Sequence, residues 1–318
     1  MKGKFNANSL EEKRLLLEEV YSVNDLSTID TLFQQILDRY VVENTTAYSL
    51  KGIQRYKNIK DVHDKKFESM LIKIEKILDK TFNLKSRIAV DISRPNSLSY
   101  GACIFLTKEE AKGIAEEAIK DKETGYKFIK RREANMYIEE GFLKLCKFRG
   151  LTGRHITAVI LHEIGHKVYL PVQKKLNAEG KIIELVIAGI SIPSTILSLI
   201  SPIPAIAALI MVSYVYSSTL VSIRYYSKSE AWSDKFAVKY GYGKEIYETM
   251  AEFEMVMSGK IKKDKNIFTW ISNQFSATYL RRQLIKRELI KEMNDPENGE
   301  EMRKAIKEIL KQIDNIEK

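Results

Sequence analysis

Cysteine and histidine are scarce in this chain, 2 and 4 in 318 residues. The cysteines, Cys103 and Cys146, form no Cys-x-x-Cys pair, which argues against a cysteine-built zinc site, and nothing marks an oxidising compartment in which they would pair. The first residues, Met1-Lys-Gly-Lys-Phe-Asn-Ala-Asn-Ser, lack the apolar core of a signal peptide, so residues 1–180 are expected in the cytosol. A concentrated basic block is also missing. Net charge is +10 and the pI about 9.2, but lysines and arginines alternate with glutamates along the chain. That pattern reads as a solvated surface, and no specific nucleic-acid partner is expected.

Charge itself is missing from Leu185 to Ile223, a run of 39 residues. One span cannot use that length, and Pro202 and Pro204 divide it. The second part, 205–223, is close to the roughly 20 residues that cross a bilayer, and the first, 185–200, falls short of that. Lys174, Lys175 and Lys181 precede the run and Arg224 and Lys228 follow it, while the Ser201-Pro-Ile-Pro tip is uncharged. The positive-inside rule makes this a hairpin that enters a bilayer from the cytoplasmic face and returns, with the rest of the chain on that side. The alternative is a soluble cytoplasmic protein whose hairpin is buried in a core or in an oligomer interface. Pro193 and the serines of the first part favour that alternative.

With 44% hydrophobic residues the chain can build a real core. Residues 9–85 read as helices, the clearest with Phe67, Met70, Leu71, Ile74, Ile77 and Leu78 on one face. Arg87-Ile-Ala-Val-Asp-Ile and Ala102-Cys-Ile-Phe-Leu read as strands separated by a turn, with Met136-Tyr-Ile a third. Helices follow at about 153–169, from Ser229 to the Gly241-Tyr-Gly stop, at 244–258 and at 270–293. A last segment with Met302, Ile306, Ile309, Ile313 and Ile316 docks on the domain. The fold class is mainly α with a small β-sheet, α+β.

Two of the four histidines stand in Thr157-Ala-Val-Ile-Leu-His-Glu-Ile-Gly-His-Lys. Residues four apart on a helix share a face, with Cβ atoms about 5–6 Å apart, so His162 and His166 can converge on one zinc ion. Glu163 sits one residue round, placed to act as general base on an attacking water without becoming a ligand. Gly165 leaves room for a substrate or another strand. Thr152 reads as the N-cap, and Pro171 ends the run.

Catalytic zinc usually takes three protein ligands, and no histidine follows His166. His155 lies two helical turns from His162, too far to share the ion, and His63 falls in a lysine-rich surface helix. A carboxylate from a second helix is therefore expected. Glu230 is the candidate, with Asp234 on the same face to accept the outer N–H of a ligating histidine. The competing reading is that Ser227-Lys-Ser-Glu230 is a capping box, in which Glu230 only satisfies a helix start.

These parts resemble the integral-membrane zinc metallopeptidases of the HtpX and CAAX-prenyl-protease type, gluzincins in which His-Glu-x-x-His is followed by Glu-x-x-x-Asp. Asn96-Ser-Leu-Ser is similar to the stretch that precedes the motif there. Tyr137-Ile-Glu-Glu-Gly-Phe-Leu is similar to the next segment, and Ala158-Val-Ile-Leu-His-Glu-Ile-Gly-His166 to the motif itself. The uncharged hairpin occupies the place where membrane helices often separate the two motifs. The resemblance covers about residues 85–290. It implies a gluzincin-like domain at 85–293 with the apolar hairpin inserted, which the helical region at 1–84 precedes and the helix at 294–318 follows. It also implies one Zn2+ per chain on His162, His166 and Glu230, Glu163 as base, and a protein or peptide substrate aligned near Asn96.

The chain departs from the family in three ways. Ser233 stands where the family has alanine. Where the family carries a later His-Pro and an arginine, this chain reads Phe275-Ser-Ala-Thr-Tyr-Leu-Arg-Arg, so Tyr279 or a nearby arginine is the expected oxyanion partner. No N-terminal spans precede the motif. The expectation is a zinc endopeptidase. The alternative is a metallopeptidase fold with a structural or scaffolding role and little or no catalysis.

Overall fold

A computed structural model describes residues 23–40, 64–91, 103–105, 135–200 and 204–317. They divide between two compact units, one up to Thr157 and the other from Ala158 onward. The small sheet groups with the N-terminal helices, and the last helix groups with the motif.

In the first unit, α1 (Val23–Leu37) and α2 (Lys65–Phe82) precede the strands β1 (Ile88–Asp91), β2 (Cys103–Phe105) and β3 (Met136–Glu139) and the helix α3 (Glu140–Arg149). Asp64 caps α2 by accepting the Phe67 N–H at 2.9 Å, and Asn83 ends it in the left-handed region. The apolar face read from the sequence is the buried one: Phe67, Met70, Leu71, Ile74 and Leu78 are all in the core. Glu75, on the same face, accepts the Ile88 N–H at 2.7 Å and so ties α2 to the first strand. All three expected strands are present. The last in sequence lies in the middle, in the order β1-β3-β2, parallel to β1 and antiparallel to β2. Cys146 is buried and forms no disulfide among the described residues.

The motif helix, α4 (Gly153–Val168), starts in this unit. Its first N–H is satisfied by the Gln34 side chain at 2.9 Å, while the expected cap, Thr152, turns its hydroxyl to His155 Nδ1 at 3.0 Å. Gly153 is required there, because a Cβ would stand 2.1 Å from the Asp30 carbonyl oxygen.

The second unit contains the rest of α4, then α5 (Leu170–Ile200), α6 (Pro204–Lys239), α7 (Gly243–Ser258), α8 (Ile267–Asn273), α9 (Ala277–Asn294) and α10 (Glu300–Ile316). Pro171 does not end helical structure. It sits in the first turn of α5, where its missing N–H costs nothing. The uncharged run is the far end of two long helices packed along each other, and Gly180 lets them close because a Cβ would lie 3.0 Å from the Tyr225 ring. Their apolar residues face outward. Leu185 is 70% exposed and Leu209 is 67% exposed, so the protein's own core does not cover them. Both helices are long and apolar enough to cross a membrane. On α10, Ile306 and Ile313 are buried against α7 and α9, the docking expected of that segment.

Candidate metal centre

The proposed ligands all lie in the second unit. His162 and His166 are one turn apart on α4, and their rings meet edge to face. Glu230 reaches them from α6. It is well inside that helix, 26 residues after its start at Pro204, so the capping-box reading does not hold. Gly165 is what lets the two helices meet. A Cβ there would stand 2.8 Å from both the Cα and the carbonyl oxygen of Ser233. The small residue expected to admit a substrate or a strand instead admits the backbone of the helix that carries Glu230.

Three side chains converge. His162 Nε2 lies 3.1 Å from His166 Nε2 and 3.4 Å from a Glu230 carboxylate oxygen, and the other Glu230 oxygen is 3.6 Å from His166 Nε2. Tetrahedral zinc with bonds of about 2.0–2.1 Å holds its ligand atoms about 3.3 Å apart. The three separations bracket that value, the two to Glu230 running to its two different oxygens.

Hydrogen bonds to the outer nitrogens decide where the protons sit. His162 Nδ1 is 2.7 Å from Asp234 Oδ1, so it carries the proton and donates it. His166 Nδ1 is 3.1 Å from Gln173 Oε1. That oxygen is fixed as an acceptor because the Gln173 amide nitrogen donates to Ser233 Oγ at 2.7 Å and to the Ser229 carbonyl at 3.1 Å. In their neutral forms both rings would therefore turn an Nε2 lone pair toward the same point, next to a carboxylate. Two lone pairs and an anion in contact repel one another unless a cation lies among them, and this chemistry is what a divalent metal satisfies. The position suits a proton for the same reason. Burial opposes charge on His162, but the Asp234 carboxylate and hydrogen bonds to Asp234 and Glu230 prevail and raise its pKa to about 9.

Arg281, from α9, closes the site from behind. Its Nε and Nη2 donate to the two Asp234 oxygens at 3.0 and 2.7 Å, and Nη1 lies 3.3 Å from Glu230. Burial works against its charge, yet the two carboxylates raise its pKa far above the ordinary arginine value. Glu163 Oε1 stands 4.0 Å from His162 Nε2, beside the three ligand atoms and outside their set.

The expected site residues separate clearly. His162, His166, Glu230, Asp234 and Glu163 come together. Tyr279 does not join them: its hydroxyl donates to Asp264 and its ring lies against Arg282. The charged partner near the site is Arg281, one of the arginines that follow Tyr279. His155 is engaged with Thr152, in keeping with its rejection as a ligand. Asn96 and His63 lie outside the described residues. Sequence reasoning missed Gln173. It also treated Ser233 as a departure without a role, whereas Ser233 is buried and receives the Gln173 amide that orients His166.

Compared with models of protein families, with curated proteins and with solved structures, the chain matches none.

Proposed function

We propose that this protein is a zinc-dependent endopeptidase anchored in a membrane by its apolar hairpin, with the site on the cytoplasmic side. One observation carries the reading: two histidine Nε2 atoms and a carboxylate, each oriented by its neighbours, stand at about the spacing of a tetrahedral zinc site, with Glu163 beside them. His162, His166 and Glu230 would hold the ion. Zinc bound there would make a water acidic enough to deprotonate near neutral pH and would polarise the scissile carbonyl.

The remaining steps belong to the chain's own groups. Glu163 takes the proton of the attacking water and returns it to the leaving amine. Asp234 and Gln173 keep the histidines in the tautomer that leaves Nε2 free. Arg281 balances the charge of Asp234 and Glu230 and is the arginine nearest the place where negative charge develops. The substrate is a protein or peptide.

The membrane part is supported by the outward apolar faces of α5 and α6. The hydroxyls of Ser194, Thr195 and Thr219 do not weigh against it. Each bonds to a carbonyl one turn back on its own helix, at 2.7, 2.8 and 2.7 Å, and so needs no water.

Glu163→Gln separates metal binding from chemistry. The variant is expected to hold zinc at the wild-type stoichiometry of one per chain while hydrolysis of an unfolded protein falls by about 10²-fold or more. His162→Ala and Glu230→Ala are expected to lose the metal. Glu163→Gln cleaving as fast as wild type would overturn the mechanism, and zinc bound at one per chain without turnover would turn the reading toward a scaffolding protein.

A further inference from the structure

The short helix α8 and the loop before it have no part in the metal centre. On α8, Ile267, Phe268, Trp270 and Ile271 are all exposed, and Phe268 is 78% exposed. Four apolar side chains in water on a helix of 7 residues need an explanation. The loop that leads into it carries Lys260, Lys262, Lys263 and Lys265 against a single acid, Asp264.

This segment is held in place from beneath. Arg282 and Glu254 form a fully buried ion pair at 2.5 Å. Glu254 also accepts the Lys262 N–H at 3.1 Å, and Arg282 donates to the Lys262 carbonyl at 3.0 Å. Asp264 accepts from Asn273 at 2.7 Å and from the Tyr279 hydroxyl. The Asn266 side chain caps α8 through the Thr269 N–H at 2.9 Å. The exposed apolar face is thus presented by a braced support.

Its position follows from one contact. Phe275, just after α8, packs edge to face on Tyr216 of α6, with ring centroids 4.9 Å apart. Tyr216 lies eight residues before Arg224, the first charge after the apolar run, which is about 12 Å along the helix axis. The chain around α8 therefore returns alongside the apolar part of α6 and does not stay level with its charged end. An amphipathic segment at a bilayer surface sinks its apolar face about 5–10 Å, with aromatics at the boundary and lysines reaching back to anionic headgroups.

We infer that α8 is an interfacial foot, with Phe268, Trp270, Ile267 and Ile271 seated in the acyl boundary of the leaflet that the hairpin enters and the neighbouring lysines facing anionic phospholipid headgroups. This rests on the bilayer reading of the hairpin. Both carboxylates that pair with Arg281 come from α6, the helix on which Phe275, just after the foot, packs. The foot therefore adds a second hold on the level at which the metal centre stands above the lipid.

The test uses the full chain reconstituted into phosphatidylcholine–phosphatidylglycerol vesicles whose acyl chains carry bromine near the headgroup. Trp232→Phe leaves Trp270 as the sole tryptophan. Trp270→Phe in the otherwise unchanged chain gives the same readout by difference. Flotation is expected, together with a blue-shifted Trp270 emission that the bromines quench by at least about half. Phe268→Glu with Ile271→Glu is expected to remove most of that quenching while the chain still floats. A chain that floats with Trp270 unquenched overturns the foot and leaves the hairpin reading intact. A chain that does not float overturns both, and so does not reproduce the first failure.

Discussion

Gln173 decides which nitrogen of His166 carries a proton. Its carbonyl oxygen faces Nδ1 and its amide donates to Ser233 and to the Ser229 carbonyl, and turning the amide over would set its oxygen against that carbonyl, acceptor against acceptor. Asp234 does the same for His162 with a full charge, and Arg281 keeps that charge in place. The two histidines are therefore set by unlike partners, one ionic and one neutral. Removing an outer partner of a ligating histidine typically costs 10–100-fold in metal affinity. Gln173→Ala is accordingly expected to weaken zinc binding by about 10–100-fold while the helical circular dichroism stays unchanged, as competition with a chromophoric chelator would measure. Affinity equal to wild type would mean that His166 is oriented by something else.

Among the elements, the meeting of α4 with α6 makes the site, and Gly165 is its narrowest point. A methyl group at 165 would overlap the backbone of Ser233, which no side-chain rotation relieves. Gly165→Ala is expected to cost about 1–3 kcal/mol, the usual penalty of overpacking, and to lose zinc as well because Glu230 is pushed away from the histidines. Thermal unfolding and metal content measured together check this, and a variant with unchanged melting and full zinc would refute it. The sequence shows why such a residue is hard to read in advance. His-Glu-x-x-His dictates a helical face, and a glycine inside it signals close approach without saying of what. The strands and the face of α2 were legible because burial imposes periods of 2 and 3.6 on the residues themselves. The unbroken length of α6 was not. Ser227-Lys-Ser-Glu230 has the composition of a helix start, yet nothing before it stops the helix, so local preference gave way to continuation. Gln173 left no signal, since one polar residue after Pro171 has no period and no motif. The contact of Tyr279 with Asp264 depends on a loop whose path the sequence does not specify.

At the scale of the molecule, the two helices of the apolar run also supply part of the proposed metal centre. Gln173 belongs to α5 and Glu230 to α6, each near the charged end of a helix whose far end is uncharged. From Arg224 to Glu230 is six residues, about 9 Å along the axis. If the apolar part crosses a bilayer, the site stands close to its surface, and on one side only, because lysines and arginines flank both ends of the run and none lies at its tip. This has a direct consequence for labelling from either side of the membrane. In a chain carrying Cys103→Ser and Cys146→Ala, a single cysteine placed by Lys228→Cys is expected to react with a membrane-impermeant maleimide only from the cytoplasmic side. One placed by Ser201→Cys is expected to react only from the opposite side. Labelling of both from the cytoplasmic side alone would mean that the hairpin lies on the bilayer or packs against a second copy without crossing. The proposed metal centre would survive that outcome, since its ligands, their partners and the glycine that admits α6 all lie outside the uncharged run. What would fall is the restriction it places on substrates: a site fixed within about two helical turns of the lipid surface reaches only polypeptide that is itself held there, whereas a site on a freely diffusing protein does not.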